Sequence, residues 1–443
     1  MAARFLAGLL AFLCLVTCSR SVPLTESSKS GTRVQVRFWH MWTAEWKTVV
    51  DRIVERYNQS QDQYEVVALS VPPTGAESKF LLAVVGGDPP DVMAQWQNVI
   101  PTWADSGLIL PLDDLMSPAD RTTFARDAYP VVKKIGTYRG HLYGLAIGVN
   151  TWACYVRLDH LEQAGLDPAA PPTTLEGLVG WGRRLDSFDR QGNLTRLGFL
   201  PQWLLLYAPL FGGGFYDEAT GKLTLDRAEN QRALAYSVEQ RQKLGIDRVT
   251  RFDSAQNAGF GVEWPFAAGS LSMTVDGQWR VEQLAKYAPA LKYKVVPVPP
   301  PQGGQQGAGY ANGNFMIVPR GAKQARGAWE FIRFWSGLAD PAAAAELYTW
   351  GGWLPALPAV ASAPAYQRYL ERFPQFRTFL ELMPSEHLVT VPPVPFQTYL
   401  LDRIEAADQA AARGALTPAA ALQRLSGEID EERARRKELG YER

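Results

Sequence analysis

At 443 residues the chain has room for two or more domain-sized units. Its 45 Lys and Arg balance 45 Asp and Glu, so no basic field exists to hold a polyanion, which argues against nucleic acid as the main partner. Fourteen Trp are more than usual, and indole faces are costly to leave wet, so these rings belong in cores or in a binding cleft.

The first residues read as an address. Arg4 gives a short basic start, and residues 5–16 form an apolar run that is too short to span a bilayer but suits a signal peptide. The run ends in Leu15-Val16-Thr17-Cys18, which resembles a bacterial lipoprotein box with Cys18 acylated, Thr17 standing where that box prefers Gly, Ala or Ser. Residues 19–32 are polar and read as a tether. The chain is therefore expected to be exported and held at the cell envelope, anchored to the membrane through Cys18. In the mature body only Cys154 remains, so no internal disulfide is available and the core must supply stability.

Residues 33–39 alternate, with Val34, Val36 and Phe38 on one face, which predicts a strand. Thr43 is placed to cap the helix that follows, whose Trp46, Val49, Val50, Ile53, Val54 and Tyr57 share one face. A strand over 64–71, a helix over 77–85 ending at Gly86-Gly87, and a buried strand over 91–94 come next. Strand, helix, strand, helix, strand predicts a parallel sheet with crossover helices. Further strands are expected near 143–148, 271–275, 293–298 and 315–318, and helices near 175–187, 227–244 and from 276 to about 288. Residues 297–309 read as a loop, and from 322 onward the pattern is almost wholly helical.

Several motifs then line up in order. Phe38-Trp39-His40-Met41-Trp42, Gly86-Gly87-Asp88-Pro89-Pro90-Asp91-Val92, and Ala104 through Leu115 with Pro111-Leu112-Asp113-Asp114-Leu115 come first. Phe266 through Met273 with Gly277-Gln278-Trp279, and Trp353-Leu354-Pro355, follow. Together they resemble the family-1 extracellular solute-binding proteins, the maltose-binding-protein-like group, over about residues 33 to 440. Tyr155-Val156-Arg157 departs from the family's Tyr-Asn-Lys. The resemblance implies a type II periplasmic-binding-protein-like fold: two α/β lobes, each a mainly parallel sheet flanked by helices, with the ligand between them. It puts 33–146 and 267–319 in the first lobe, and 147–266 and 320–443 in the second. It also implies a monomeric receptor that captures a carbohydrate and delivers it to the permease subunits of an ABC importer.

A sugar offers apolar C–H faces and a rim of hydroxyls, so its site needs flat aromatic faces beside groups that donate and accept hydrogen bonds. Such groups are expected where loops leave the carboxyl ends of strands. Four places qualify: His40, Trp42 and Thr43 after the first strand; Gln95 and Trp96 after the third; Asn150 and Trp152 where the resemblance puts a crossing between lobes; and Asp276, Gln278 and Trp279. Tyr310 and Asn312, and the aromatic turn of Trp350 and Trp353, are further candidates. Trp203, Tyr207 and Phe211 recur every four residues and read as a core stripe. Abundant Trp with few ionisable neighbours favours a neutral di- or oligosaccharide.

Catalytic constellations are not apparent. The sequence has no GxSxG elbow, no HExxH spacing, no His/Cys grouping for a metal and no Walker lysine, and Asp113-Asp114 are adjacent carboxylates that usually point apart. No enzyme activity, cofactor or metal is expected. The competing readings are a secreted carbohydrate-active enzyme and a sugar-sensing lipoprotein.

Overall fold

A computed structural model describes residues 33–256 and 261–441. The expected signal peptide, Cys18 and the tether lie outside the described residues. β1 (Val34–His40) buries Val36 and Phe38 and leaves Gln35 in water, as its alternation predicts. α1 (Ala44–Ser60) buries Val50, Ile53, Val54 and Tyr57 along one face; Thr43 holds its N-cap position without making a capping hydrogen bond. β2 (Tyr64–Ser70) and β3 (Val92–Trp96) pair with β1 in parallel, joined by a crossover containing α2 (Ala76–Val85).

Beyond β3 the sheet changes character. β4 (Leu145–Arg157) is 13 residues long. β5 (Met273–Gly277) and β6 (Tyr293–Val296) flank its second half, and β7 (Gly309–Ile317) pairs with its first half, all three antiparallel to it. β7 is also antiparallel to β3, and β8 (Leu388–Val389) adds to the start of β7. The result is one eight-stranded sheet of order β5-β4-β7-β3-β1-β2 with β6 and β8 as side branches. The expectation of a parallel sheet in each lobe therefore holds only for β1 to β3. β7 enters the sheet reversed, and β5 and β6 return along β4 rather than beside a parallel partner.

The helices of the last third divide between two cores. α3 (Leu204–Leu210), α4 (Ala228–Leu244) and α5 (Ile246–Ala255) precede β5, and α6 (Trp279–Tyr287) follows it. α7 (Ala325–Ser336) places Trp329, Phe331, Ile332 and Trp335 in the first core, against β1, β4 and α1. α8 (Pro341–Gly351) joins that core; Asp340 caps it by accepting from the Ala342 and Ala343 amides. α9 (Gln397–Ala412) and α10 (Pro418–Glu438) pack in the second core with α3 and α4. This packing corrects the division that assigned all of 320–443 to the second lobe. β7 feeds α7 straight back onto β1, so the chain completes the first core before crossing at β8. The segment 267–319 is likewise shared, since β5 pairs along the second half of β4 and β7 along the first.

The first core corrects three sequence expectations. Trp42 stacks on Trp335 at 5.9 Å and meets Trp353 at 5.7 Å, while Trp46 stacks on Trp353 at 5.6 Å. Trp42 and Trp353 are thus buried packing rather than walls of a cleft. His40 is 1% exposed between Phe38 and Trp42. Burial pushes its pKa down to about 4, so the folded protein keeps the ring neutral while the unfolded chain protonates it below its ordinary value of 6.5. The stability tied to this neutral ring is present above pH 6.5 and drains away as pH falls toward 4. A His40→Leu variant should lose about 2 kcal/mol less stability than the wild type between pH 7 and pH 5, read from urea melts at each pH. Equal losses in the two proteins would rule this out.

Candidate ligand-binding site

Side chains alternate across a strand, so every second residue shares a face. Along β4 only Asn150 and Trp152 keep partial exposure, and along β7 only Asn312 and Asn314 do so. The register sets Asn150 opposite Asn312 and Asn314 opposite Trp96, so all five lie on one face of the sheet. Trp96, at the end of β3, is 52% exposed, which is unusual for an indole on a central strand. A partly wet row of amides and indoles crosses the buried central strands β3, β7 and β4, and this row is the candidate groove.

Rings from two other segments, and Tyr310 of β7, close around it. Trp152 lies 5.2 Å from Trp203 and 5.8 Å from Trp279, both edge-on, and 5.1 Å from Tyr310. Trp203 meets Tyr310 at 5.0 Å. Beneath them the amides are chained: Gln278 Nε2 donates to Asn150 Oδ1 at 2.7 Å, and Asn150 Nδ2 donates to Asn312 Oδ1 at 2.9 Å. Each bond fixes the orientation of the next amide, so the groove presents an ordered set of donors and acceptors. The aromatic faces and the fixed amides together match a flat, hydroxyl-rimmed ligand.

The local chain is shaped to hold these rings. Gly277 pairs with Trp152 across β5 and β4, and the Trp279 ring folds back over it. A Cβ at Gly277 would lie 2.0 Å from that ring. Gly277→Ala should therefore swing Trp279 out of the groove, weakening ligand at least tenfold while the unliganded melt falls by only about 1 kcal/mol. Unchanged affinity in Gly277→Ala would show that the ring position is irrelevant to binding.

Trp203 packs against the same core as Tyr207 and Phe211, as the stripe implies, but its ring also reaches Trp152 and Tyr310. It stands just before α3 with φ of +76°, a left-handed conformation that a bulky residue adopts only under constraint. Two contacts clamp the flanking backbone: Ser237 Oγ donates to the Pro201 carbonyl at 2.7 Å, and Asp408 accepts from the Leu204 amide at 2.9 Å. The four-residue spacing carried no sign of this strain. The signal available in sequence was only the indole itself.

Other expected site residues have different partners. Asp276 points to the opposite face, opposite Ala153, where its oxygens accept from the Gly277 amide and from Arg280 Nε, each at 2.8 Å; both oxygens are thereby committed away from the groove. Gln95 is buried and accepts from the Trp96 amide at 2.9 Å. Tyr310 is buried as the floor of the aromatic cluster. Thr43 is exposed at the start of α1, and Trp350 lies under the Arg52 guanidinium at 3.7 Å, on a helix of the first core; neither joins the groove rings.

Two cores joined by strands that run through both, with aromatic rings and amides gathered at the crossing, define a two-lobed solute-binding protein. Residues 52–374 match the family of bacterial extracellular solute-binding proteins, and the chain belongs to that family. It is similar to the solved structure of CpMnBP1 with mannotriose bound, with 26% identity and a TM-score of 0.75, covering 89% of this chain and 100% of that one. The sugar-binding protein MalE from Xanthomonas citri shares the fold at a TM-score of 0.75 with 20% identity, covering 93% of this chain and 100% of that one. The sn-glycerol-3-phosphate-binding periplasmic protein UgpB of Shigella dysenteriae is 24% identical over 383 residues, covering 82% of each chain.

Proposed function

We propose that the protein is the extracytoplasmic substrate-binding component of an ABC importer, and that it captures a neutral di- or oligosaccharide in the groove. The observation that carries this is the composition of the wall. Trp96, Trp152, Trp203 and Trp279 gather with Asn150, Asn312 and Asn314, and buried Gln278 backs Asn150, with no Lys or Arg in the set. One relative of this chain is solved with mannotriose bound, and another is named for binding sn-glycerol 3-phosphate. A phosphate ester is held by charge-assisted bonds from Arg or Lys, which these eight side chains do not offer. Ligand then stabilises a closed arrangement of the lobes that the permease recognises. We further propose that Cys18 carries the lipid anchor and that the receptor works as a monomer.

A thermal-shift series against mannobiose, mannotriose, maltotriose and sn-glycerol 3-phosphate tests the reading, since a ligand that binds only the folded state raises its melt. An oligosaccharide should raise it by several degrees, and the phosphate ester should leave it unchanged. The reverse pattern would sink the carbohydrate assignment. Recovery of the sugar unaltered after long incubation separates a receptor from a glycoside-cleaving enzyme.

A further inference from the structure

The Trp203 ring is aimed by a backbone that does not favour it. A φ of +76° is costly for a bulky residue and persists only where surrounding contacts hold it. The position also opens α3, whose first amides have no carbonyl partner within the helix. An indole carries no oxygen to cap them, so an acceptor must come from elsewhere in the chain.

It comes from α9. The buried residues of that helix are Gln397, Leu400, Ile404, Ala407, Asp408 and Ala411, spaced along one face, and Asp408 is the single carboxylate among them. A carboxylate in such a stripe carries a desolvation cost that alanine would avoid, so packing alone does not account for it. Asp408 is 9% exposed, and one of its oxygens accepts from the Leu204 amide at 2.9 Å. The Arg241 guanidinium of α4 offsets part of its charge from nearby while bonding Asp253 at 2.6 Å. Leu204 follows Trp203 directly, so the bond to Asp408 fixes the peptide between them. The direction in which the indole leaves the chain is fixed with it. On the other side of Trp203, Ser237 Oγ donates to the Pro201 carbonyl at 2.7 Å. The ring so held lies 5.2 Å from Trp152 and 5.0 Å from Tyr310.

We propose that Asp408 is a positioning residue for ligand capture: from α9, outside the groove, it sets affinity by holding Trp203 against Trp152. The inference rests on the carbohydrate reading of the groove. Binding strength is thereby governed from a helix of the second core through a residue that need not touch the sugar.

The test is calorimetry with mannotriose and maltotriose on the wild type, Asp408→Ala, Asp408→Asn, Trp203→Ala and the Asp408→Ala/Trp203→Ala double variant. Asp408→Ala should weaken the better sugar at least tenfold. Asp408→Asn, whose amide oxygen still accepts from Leu204, should recover most of that loss. In the Trp203→Ala background, Asp408→Ala should change affinity less than twofold, because its effect runs through that ring. Near-UV circular dichroism of the unliganded protein, which reports the packing of neighbouring indoles, should change in Asp408→Ala and return in Asp408→Asn. Wild-type affinity in Asp408→Ala, equal losses in the Ala and Asn variants, or full additivity with Trp203→Ala each overturns the positioning role alone. Should Asp408→Ala fail to fold, Ser237→Ala releases the opposite clamp; it should weaken the sugar at least threefold, and unchanged affinity there overturns the proposal. If Trp203→Ala binds as tightly as the wild type, the groove loses that ring; if neither sugar binds the wild type, the carbohydrate reading falls. In both cases this inference falls with it.

Discussion

Replacing Trp152 with Ala should raise the dissociation constant for the best sugar by a hundredfold or more. Trp152 is the hub of the groove: its ring touches Trp203, Trp279 and Tyr310, and it stands next to Asn150 on the same strand face. Aromatic anchors at the centre of a site commonly cost 2 kcal/mol or more when truncated, and about 2.7 kcal/mol corresponds to a hundredfold. Removing it also frees its neighbours to tilt, so the loss exceeds that of one stacked face. The unliganded protein should suffer less, by about 1–2 kcal/mol, because Trp152 is only half-buried. Calorimetry and a ligand-free urea melt measure the two quantities separately. Unaltered affinity would mean that the sugar lies elsewhere, and a collapse of the ligand-free melt would make Trp152 a core residue. Trp152→Phe, which keeps a ring, should recover part of the affinity.

The opposite balance is expected at Trp335. Its side chain is fully buried and meets Phe331, Trp42 and Trp353 at 5.7 to 5.9 Å. Truncation to Ala leaves a void that rigid rings on three sides cannot fill, and large-aromatic deletions in cores cost about 3–5 kcal/mol. Against a usual total of about 5–15 kcal/mol, that is a large fraction of stability. The urea midpoint should fall steeply, while the protein that remains folded should bind sugar with the wild-type constant. A variant that melts normally but has lost ligand would exchange the roles assigned to the two indole groups.

The two groups also mark how far the sequence could be read. β1, α1, β2 and β3 follow from alternation and helical spacing, and the ordered motifs imply the family and its two lobes. Sorting the indoles was harder, because Trp42 and Trp152 both stand close after polar residues, His40 and Asn150-Thr151. What separates them is register: Trp152 shares the wet face with Asn312 through the pairing of β4 with β7, a long-range fact. Residues 309–314, rich in Gly and Asn, look like a loop that precedes a strand, yet they form the first part of β7, since pairing with β3 and β4 outweighs weak propensity. Asp276 looked free to bind because its partner, Arg280, follows on a different element and reaches back to it. The strain at Trp203 has no periodicity at all. It was invisible.

β4 and β7 pass through both cores on a shared ladder, and the only register shift between them falls at Asn314/Phe315. Lobes mounted on such a spine cannot swing freely like beads on a cord; they are limited to bending the spine itself, most easily at the bulge. The base on which a guest settles is therefore built before the guest arrives, and only the sides travel. Capture should proceed at the pace of encounter, with closing as a later, small-amplitude adjustment rather than the assembly of a site from scattered parts.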